Sequence, residues 1–428
     1  MIKNHNQLAT SNIRKKVLDI VNAGFNALDI EKAIEKQIKL EGELLNIKSE
    51  SGKILKYDLN KFSDIFVVAI GKGSSRAAEQ LEKILGSKIT QGIAIDVKKR
   101  PLKFIKSFEG THPLPSIKNV KATKKIINML KKTKSDDLVL FLIFGGGSAL
   151  LCSPAKISLN SFKKYTHQLI NSGKDIHQIN TIRKHLSLVK GGKLAMLAYP
   201  ATAVSCIFSD VIGNNLSFIA SGPTVKDQTK IKDAQKIIKE LNWPKNIFLE
   251  TPKEDKYFKK IKNILMFSNR RPLLEMKRKA EESGFNANIY SYTLKGEARK
   301  VGKRLMKVLR SKKSPQLILA GGETTVMVRG KGKGGRNQEL VLGALSFLKD
   351  KEIIISAASD GWDNTEAAGA IGDIKTKLKA KKLGLNPEKF LKENDSFHFF
   401  QKTGDLIFAE RGINIADFII LAKVRSTD

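Results

Sequence analysis

Between Leu319 and Leu340 the chain reads LAGGETTVMVRGKGKGGRNQEL. The apolar run Gln316–Ala320 breaks at Gly321-Gly322 and exposes Glu323. A second glycine cluster, Gly330, Gly332, Gly334 and Gly335, is interleaved with Arg329, Lys331, Lys333 and Arg336, and Asn337 and Gln338 lead into a helical pattern. Glycines let backbone N–H groups come close to a ligand, and cations ahead of a helix N-terminus favour bound anions. The plain alternative is a solvated basic hairpin. Two further glycine turns weigh against it: Gly71-Lys72-Gly73-Ser74-Ser75 after Ile65–Ile70, and Gly145-Gly146-Gly147-Ser148 after Leu138–Phe144.

None of these turns is a standard nucleotide fingerprint. A P-loop would need glycine where Phe66 stands, a dinucleotide turn would need it at Arg76, and a nucleophile elbow would need it at Leu150. Lys72 alone reads equally well as a surface lysine. Three adjacent glycines after a buried strand are harder to explain without a close neighbour, and an anion cradle of amides at Gly145, Gly146, Gly147 and Ser148 is the better reading. Ser209-Asp210 and Ser359-Asp360 each follow an apolar run, as Glu323 does, so Asp210, Glu323 and Asp360 are candidates for Mg²⁺ or for general-base work. Each also suits a plain helix or turn cap. His112, in a Thr-His-Pro turn, and His185, in a helix, read as structural. Arg183 and Lys184 face either a cleft or solvent.

The elements that must carry these loops alternate. Residues 11–40 have an amphipathic helical pattern, and strands are expected at 65–70, 90–96, 138–144 and 201–208. Helices are expected at 160–172 and 176–197. The segment 241–257 loses periodicity, so the expected division is an N-terminal domain, 1–245, a boundary at 246–257, and a C-terminal domain, 258–428. The second domain alternates again: strands 263–268, 287–292, 316–320 and 353–358, with helices 270–283, 296–311 and 337–348. A closing apolar run, Ile415–Ala422, either completes this domain or returns to the first. This is an α/β chain of two domains, the first a doubly wound Rossmann-like sheet. In such sheets ligands gather at the carboxyl ends of strands, where the glycine and acid loops lie.

Composition narrows the function. The 428 residues carry a formal net charge of +35, which would raise nucleic acid as a partner. The excess is scattered lysine on helix faces, without an aromatic-studded stripe or a recognised nucleic-acid motif, so no specific nucleic acid is expected. The two cysteines, Cys152 and Cys206, lie apart in apolar settings and imply neither a disulfide framework nor a zinc site. Without a signal-peptide pattern or a run of ~20 apolar residues, the expectation is a cytoplasmic protein with no membrane partner.

The blocks VAIGKGSSRAAEQL, FEGTHPLPS, FGGGSALLCSP, INTIRKHLSLVKGGKLA, FSDVIGNNLSFIASGPT, LAGGETTVMVRGKGKGGRNQEL and SDGWDNTEAAGAIGD together resemble the signature blocks of glycerate 2-kinases of the MOFRL type, formerly labelled hydroxypyruvate reductases. They run in the family's order from about residue 10 to residue 425. The resemblance implies two α/β domains with an active-site cleft between them, the MOFRL region covering about 316–425. It implies ATP and Mg²⁺, and phosphorylation of D-glycerate to 2-phosphoglycerate by a metabolic kinase, with glycerate and ATP as its small-molecule partners and a homodimer compatible with it. It places the catalytic pair on Lys72 and Arg336; the reading of the strand-end acids adds Asp210 as a further catalytic or metal-binding residue. Binding roles fall on Gly71, Gly73, Ser74, Gly145, Gly146, Gly147, Ser148, Arg183, Gly322, Glu323, Gly334, Gly335, Asn337 and Asp360. Two departures stand out: Asn214 and Asn215 replace aspartates, and FAERGINI over 408–415 replaces TGPTGTNV. The competing readings are an oxidoreductase acting on hydroxypyruvate and a nucleotide-binding regulatory protein weakened by the Asn214 and Asn215 changes.

Overall fold

The computed structural model describes residues 1–241, 243–311, 316–412 and 414–424. Asn242, in the aperiodic segment 241–257, and Ile413, in the altered loop, lie outside the described residues. The chain forms two compact units, Ile30–Ser268 and Met1–Asp29 with Asn269–Asp428.

In the first unit six parallel strands form one sheet, in the spatial order 105–109, 91–96, 65–70, 138–143, 202–208, 261–267. The central strands, Ile65–Ile70 and Leu138–Ile143, are buried along their whole length, which is why they read as unbroken apolar runs. Helices such as Ser74–Leu85 and Ile117–Leu130 supply the crossovers. From strand 65–70 the chain steps outward to 91–96 and 105–109, then returns to the other side at 138–143. The order therefore reverses between 65–70 and 138–143, and a crevice opens at the carboxyl ends of those two strands.

The second unit is built on a mixed six-stranded sheet, in the order 286–294, 316–322, 417–423, 352–358, 369–373, 406–407. The first two strands pair parallel and the remaining neighbours antiparallel. Alternate residues face opposite layers. Ile318, Ile354, Ile419 and Leu421 join helices Ala298–Arg310 and Arg336–Leu345 in one core, while Phe418 meets Phe25 edge-on at 5.6 Å on the other side.

Several expectations need correction. The 11–40 pattern is two helices, Asn12–Asn26 and Ile30–Gln37, followed by a three-stranded antiparallel meander over 38–58, and the chain changes unit between the helices. Arg14 explains the assignment of the first helix: it lies buried against Asp373, at 2.7 Å from each carboxylate oxygen, and Asp405, at 2.8 Å. These partners lie more than 350 residues away, and no local pattern announces them. The units do not divide at 246–257, because strand Ile261–Phe267 pairs with 202–208 and completes the parallel sheet. The aperiodic stretch before it is no linker; Trp243, Ile247 and Phe248 pack into a cluster with Phe162 and Leu169. The last strand, Asp417–Lys423, does not return to the first unit but fills the gap between 316–322 and 352–358. The expected helix 176–197 is interrupted: Ile176–His185 and Lys193–Ala198 flank a buried turn. Among the described residues no helix is long and apolar enough to cross a membrane.

Candidate active site

In the parallel-sheet unit the two glycine turns meet at the switch point. The Lys72 N–H donates to the Gly145 carbonyl at 2.9 Å. The helix beginning at Ser74 does not offer its N-terminus to a ligand. Asp96, at the end of the neighbouring strand, accepts from the amides of Gly73 at 3.1 Å, Ser75 at 2.9 Å and Val97 at 2.6 Å. The buried Ser74 hydroxyl donates to the Ile95 carbonyl at 2.9 Å. Gly71, Gly73 and Ser74, expected to bind substrate, thus shape a turn whose N-terminal donors Asp96 already engages. That leaves Lys72, whose ammonium is exposed and has no acceptor among the described residues.

The second turn differs. The Gly145, Gly146 and Ser148 amides have no backbone acceptor among the described residues, and no side chain takes them. The Asp210 carboxylate lies directly over Gly145, where a β-carbon would come within 2.0 Å of it. Gly146 is left-handed at φ +75°, and a β-carbon there would crowd Lys72 and the His112 ring at 3.1–3.2 Å. Lys72, His112 and Gly146 therefore form one cluster. Beside it is a cavity of about 150 Å³ lined by His112, Gly146, Ser148, Phe162, Ile170 and Arg183. Arg183 has no acceptor among the described residues, and burial holds its pKa below the ordinary value.

His112, expected to be structural, lines this cavity instead. Burial, and then the charge of Lys72, push its imidazole down to about 4, so it is neutral at physiological pH. A histidine with a folded-state pKa below its unfolded value of about 6.5 binds fewer protons folded than unfolded between those limits, so the stability it contributes falls as pH drops through that window. His112→Gln should remove that part of the acid sensitivity. The check is denaturant unfolding of both proteins at pH 7.5, 6, 5 and 4.5: the variant gains relative to wild type as pH falls, and parallel profiles would refute the assignment. His185 is structural: its ring contacts the Thr181 carbonyl at 2.8 Å and Glu250 at 3.1 Å.

In the mixed-sheet unit Arg336 is not a free cation. Its Nε and Nη2 clasp the two oxygens of buried Asp417 at 2.7 and 3.0 Å, and Nη1 reaches Glu323 at 2.7 Å. Asn337 donates to Asp363 at 3.1 Å and Asp417 at 2.9 Å and accepts from Ser356. Asp363 takes the amides of Asn337 and Gln338 at 3.1 and 2.9 Å, and so caps the helix that the glycine run precedes. Burial pushes Asp417 up to about 6, even against Arg336. Asp360 is also raised by burial, with Arg336 and Arg411 opposing. The sequence reading missed Asp417, because an aspartate opening an apolar strand gives no local sign of a partner 81 residues away.

The glycine run in this unit is largely a packing device. A side chain at Gly334 would strike Ser396 Oγ at 2.2 Å, and one at Gly335 the Asp363 carbonyl at 1.9 Å. Asn394 accepts from the amides of Arg329 and Gly330 at 2.7 and 3.0 Å, and Asp395 from that of Lys333 at 3.0 Å. Gly322 is likewise required by the backbone of Leu294, 2.1 Å from its β-carbon position. The amides of Gly334 and Gly335 keep no acceptor among the described residues.

The two departures from the family pattern serve local structure. Asn214 is left-handed at φ +53°, a conformation asparagine tolerates, and Asn215 Oδ1 accepts from the amide and hydroxyl of Ser217 at 3.0 and 2.8 Å. Arg411, in the altered loop, stacks 4.0 Å from the Trp362 ring and donates to the Gly361 carbonyl at 2.9 Å. Among the described residues no three histidine, cysteine or acid side chains are grouped to hold a metal. Mg²⁺ commonly needs only one or two carboxylates plus phosphate oxygens, and Asp210 beside the free amides of the second turn fits that pattern.

Residues 16–250 match a domain of unknown function, DUF4147, and residues 316–417 match the MOFRL family. The chain is 37% identical to D-glycerate 2-kinase of Thermotoga maritima over 83% of its own length and 90% of the relative's. To glycerate 2-kinase of Pyrococcus horikoshii it is 36% identical over 95% and 97% of the two lengths. A protein of Agrobacterium vitis named putative hydroxypyruvate reductase is 35% identical over 80% and 83%. The crystal structure of glycerate kinase from Thermotoga maritima superposes with a TM-score of 0.85 at 33% identity, covering 96% of this chain and 99% of that one.

Proposed function

The chain belongs to the glycerate 2-kinase family, with its DUF4147 and MOFRL regions, and from that premise we propose that it transfers the terminal phosphoryl group of ATP to the 2-hydroxyl of D-glycerate. The acceptor O–H bond gives way to an O–P bond, the bridging P–O bond of ATP breaks, and ADP, 2-phosphoglycerate and a proton leave. The observation that carries this reading is the Lys72 ammonium beside three amides, none with a partner among the described residues, at the switch point of the parallel sheet.

The migrating phosphoryl group spreads negative charge over its oxygens, so catalysis is chiefly positioning and fixed positive charge. Lys72 supplies the charge. The amides of Gly145, Gly146 and Ser148 supply donors that need no reorganisation during reaction. Asp210 would hold Mg²⁺, which when bound neutralises phosphate oxygens. Glu323 and Asp360 are the corresponding acids of the MOFRL region, arranged around Arg336. His112 is a neutral imidazole available to the acceptor hydroxyl.

The test is ADP release, coupled to an indicator enzyme, with D-glycerate and Mg²⁺; turnover dependent on both ATP and D-glycerate is expected. Hydroxypyruvate reduction has a relative's name in its favour, and NADH oxidation with hydroxypyruvate would revive it. A regulatory role through loss of activity has no support from Asn214 and Asn215, which serve a turn. The enzyme is read as a cytoplasmic metabolic kinase.

A further inference from the structure

The wall of the small cavity contains a hydrogen-bond relay with a fixed direction. Asn180 donates through Nδ2 to the Ile176 carbonyl at 3.1 Å, so its Oδ1 is the atom presented to Ser221. Ser221 Oγ donates to that oxygen at 2.8 Å. A hydroxyl has one proton. Ser221 therefore meets Ser148 Oγ, 3.0 Å away, only as an acceptor, and the Ser148 proton points away from the cavity toward Ser221. Ser148 turns lone pairs to the cavity it lines.

The backbone is arranged to hold this relay. Ala220 and Ser221 are consecutive non-glycine residues in left-handed conformations, at φ 51° and 61°. Such geometry is unfavourable for residues with a β-carbon and persists where surrounding contacts enforce it, often at functional sites. Here the enforcement is visible. Ser221 is fully buried, its N–H donates to Phe218 at 3.0 Å, and its carbonyl accepts from Gly191 at 3.0 Å.

Phosphate and carboxylate oxygens are acceptors, and at Ser148 they would meet lone pair with lone pair. A ligand that satisfies Ser148 must bring a proton. Arg183, in the same wall and without an acceptor among the described residues, requires an anion. A cavity of about 150 Å³ suits a molecule of a few heavy atoms rather than a nucleotide. A carboxylate and an alcohol on one small molecule meet all three conditions.

We propose that this cavity is the hydroxy-acid subsite, in which Arg183 binds the carboxylate and Ser148, held by the positioning residues Asn180 and Ser221, accepts a hydrogen bond from the hydroxyl that is not phosphorylated. The choice of hydroxyl rests on the kinase reading above. The reacting oxygen must give up its proton, and a neutral serine whose own proton is committed to Ser221 is too weak a base to take it.

The experiment compares D-glycerate with D-2-hydroxypropanoate, which lacks the second hydroxyl, by calorimetric binding without nucleotide and by steady-state kinetics. Wild type should prefer D-glycerate by about tenfold or more, in keeping with one hydrogen bond at a site built for it. Ser148→Ala should bring that preference to within about twofold, raising KM for glycerate while leaving KM for ATP unchanged. Ser221→Ala, which frees the Ser148 proton, should do the same, whereas a merely structural effect would lower both substrates' binding together. Preference retained in both variants, or a selective rise in KM for ATP, overturns the proposal. If either variant does not fold, equal wild-type affinities for the two acids overturn it without mutation. Selective glycerate binding without ADP release would defeat the kinase reading and keep the subsite; ADP release without the selectivity would do the reverse.

Discussion

Replacing Lys72 with alanine lowers kcat by about 10²-fold or more, the scale of losing one preorganised donor to transition-state charge. KM for either substrate changes much less, because the interaction strengthens as the phosphoryl group leaves ADP. Thermal stability stays near that of wild type, since the side chain is exposed and has no acceptor among the described residues. Steady-state kinetics alongside a thermal melt check both halves. A variant within a few-fold of wild type would make Lys72 a surface residue of a tight turn, and a large drop in melting temperature would make it structural.

Arg336 behaves differently, because it is already bound. Its fork on Asp417 neutralises a fully buried carboxylate, and removing one partner of a buried pair leaves the other charge uncompensated. Arg336→Ala should destabilise the protein by about 3–5 kcal/mol and abolish turnover. Arg336→Lys should also be damaging, because a single ammonium cannot reproduce the two parallel hydrogen bonds. The second change Asp417→Asn, made in the alanine variant, removes the stranded charge and should restore much of the stability but not the activity. Denaturant unfolding of the three proteins decides it. If Arg336→Ala unfolds at the wild-type midpoint, the Asp417 pairing has no structural weight and Arg336 acts as a free cation.

The sequence exposed most of what is local. The apolar strands, the crossovers and the strand-end loops were readable because buried parallel strands leave continuous apolar runs and glycine turns punctuate them. Partners remote in sequence were not readable. The first helix gave no sign that Arg14 belongs with Asp373 and Asp405, and the run around Arg336 gave none of Asp417. Two helices whose N-terminal turns looked like ligand sites are capped by acids, Asp96 from the end of a neighbouring strand and Asp363 from a neighbouring loop. The glycines of the MOFRL run looked like a ligand cradle because close packing and ligand approach make the same demand on side-chain size. His112 was hidden by the opposite ambiguity: a histidine before proline reads as turn chemistry until its ring is found against Gly146.

The most direct test of the account is the identity of the product. Incubation of the protein with ATP, Mg²⁺ and D-glycerate, followed by ³¹P and ¹³C NMR of the mixture, should show ADP and 2-phosphoglycerate formed in equal amounts, with no product when D-glycerate is omitted. Phosphate found on the 3-hydroxyl, or no phosphorylated acid alongside NADH consumption with hydroxypyruvate, would contradict it.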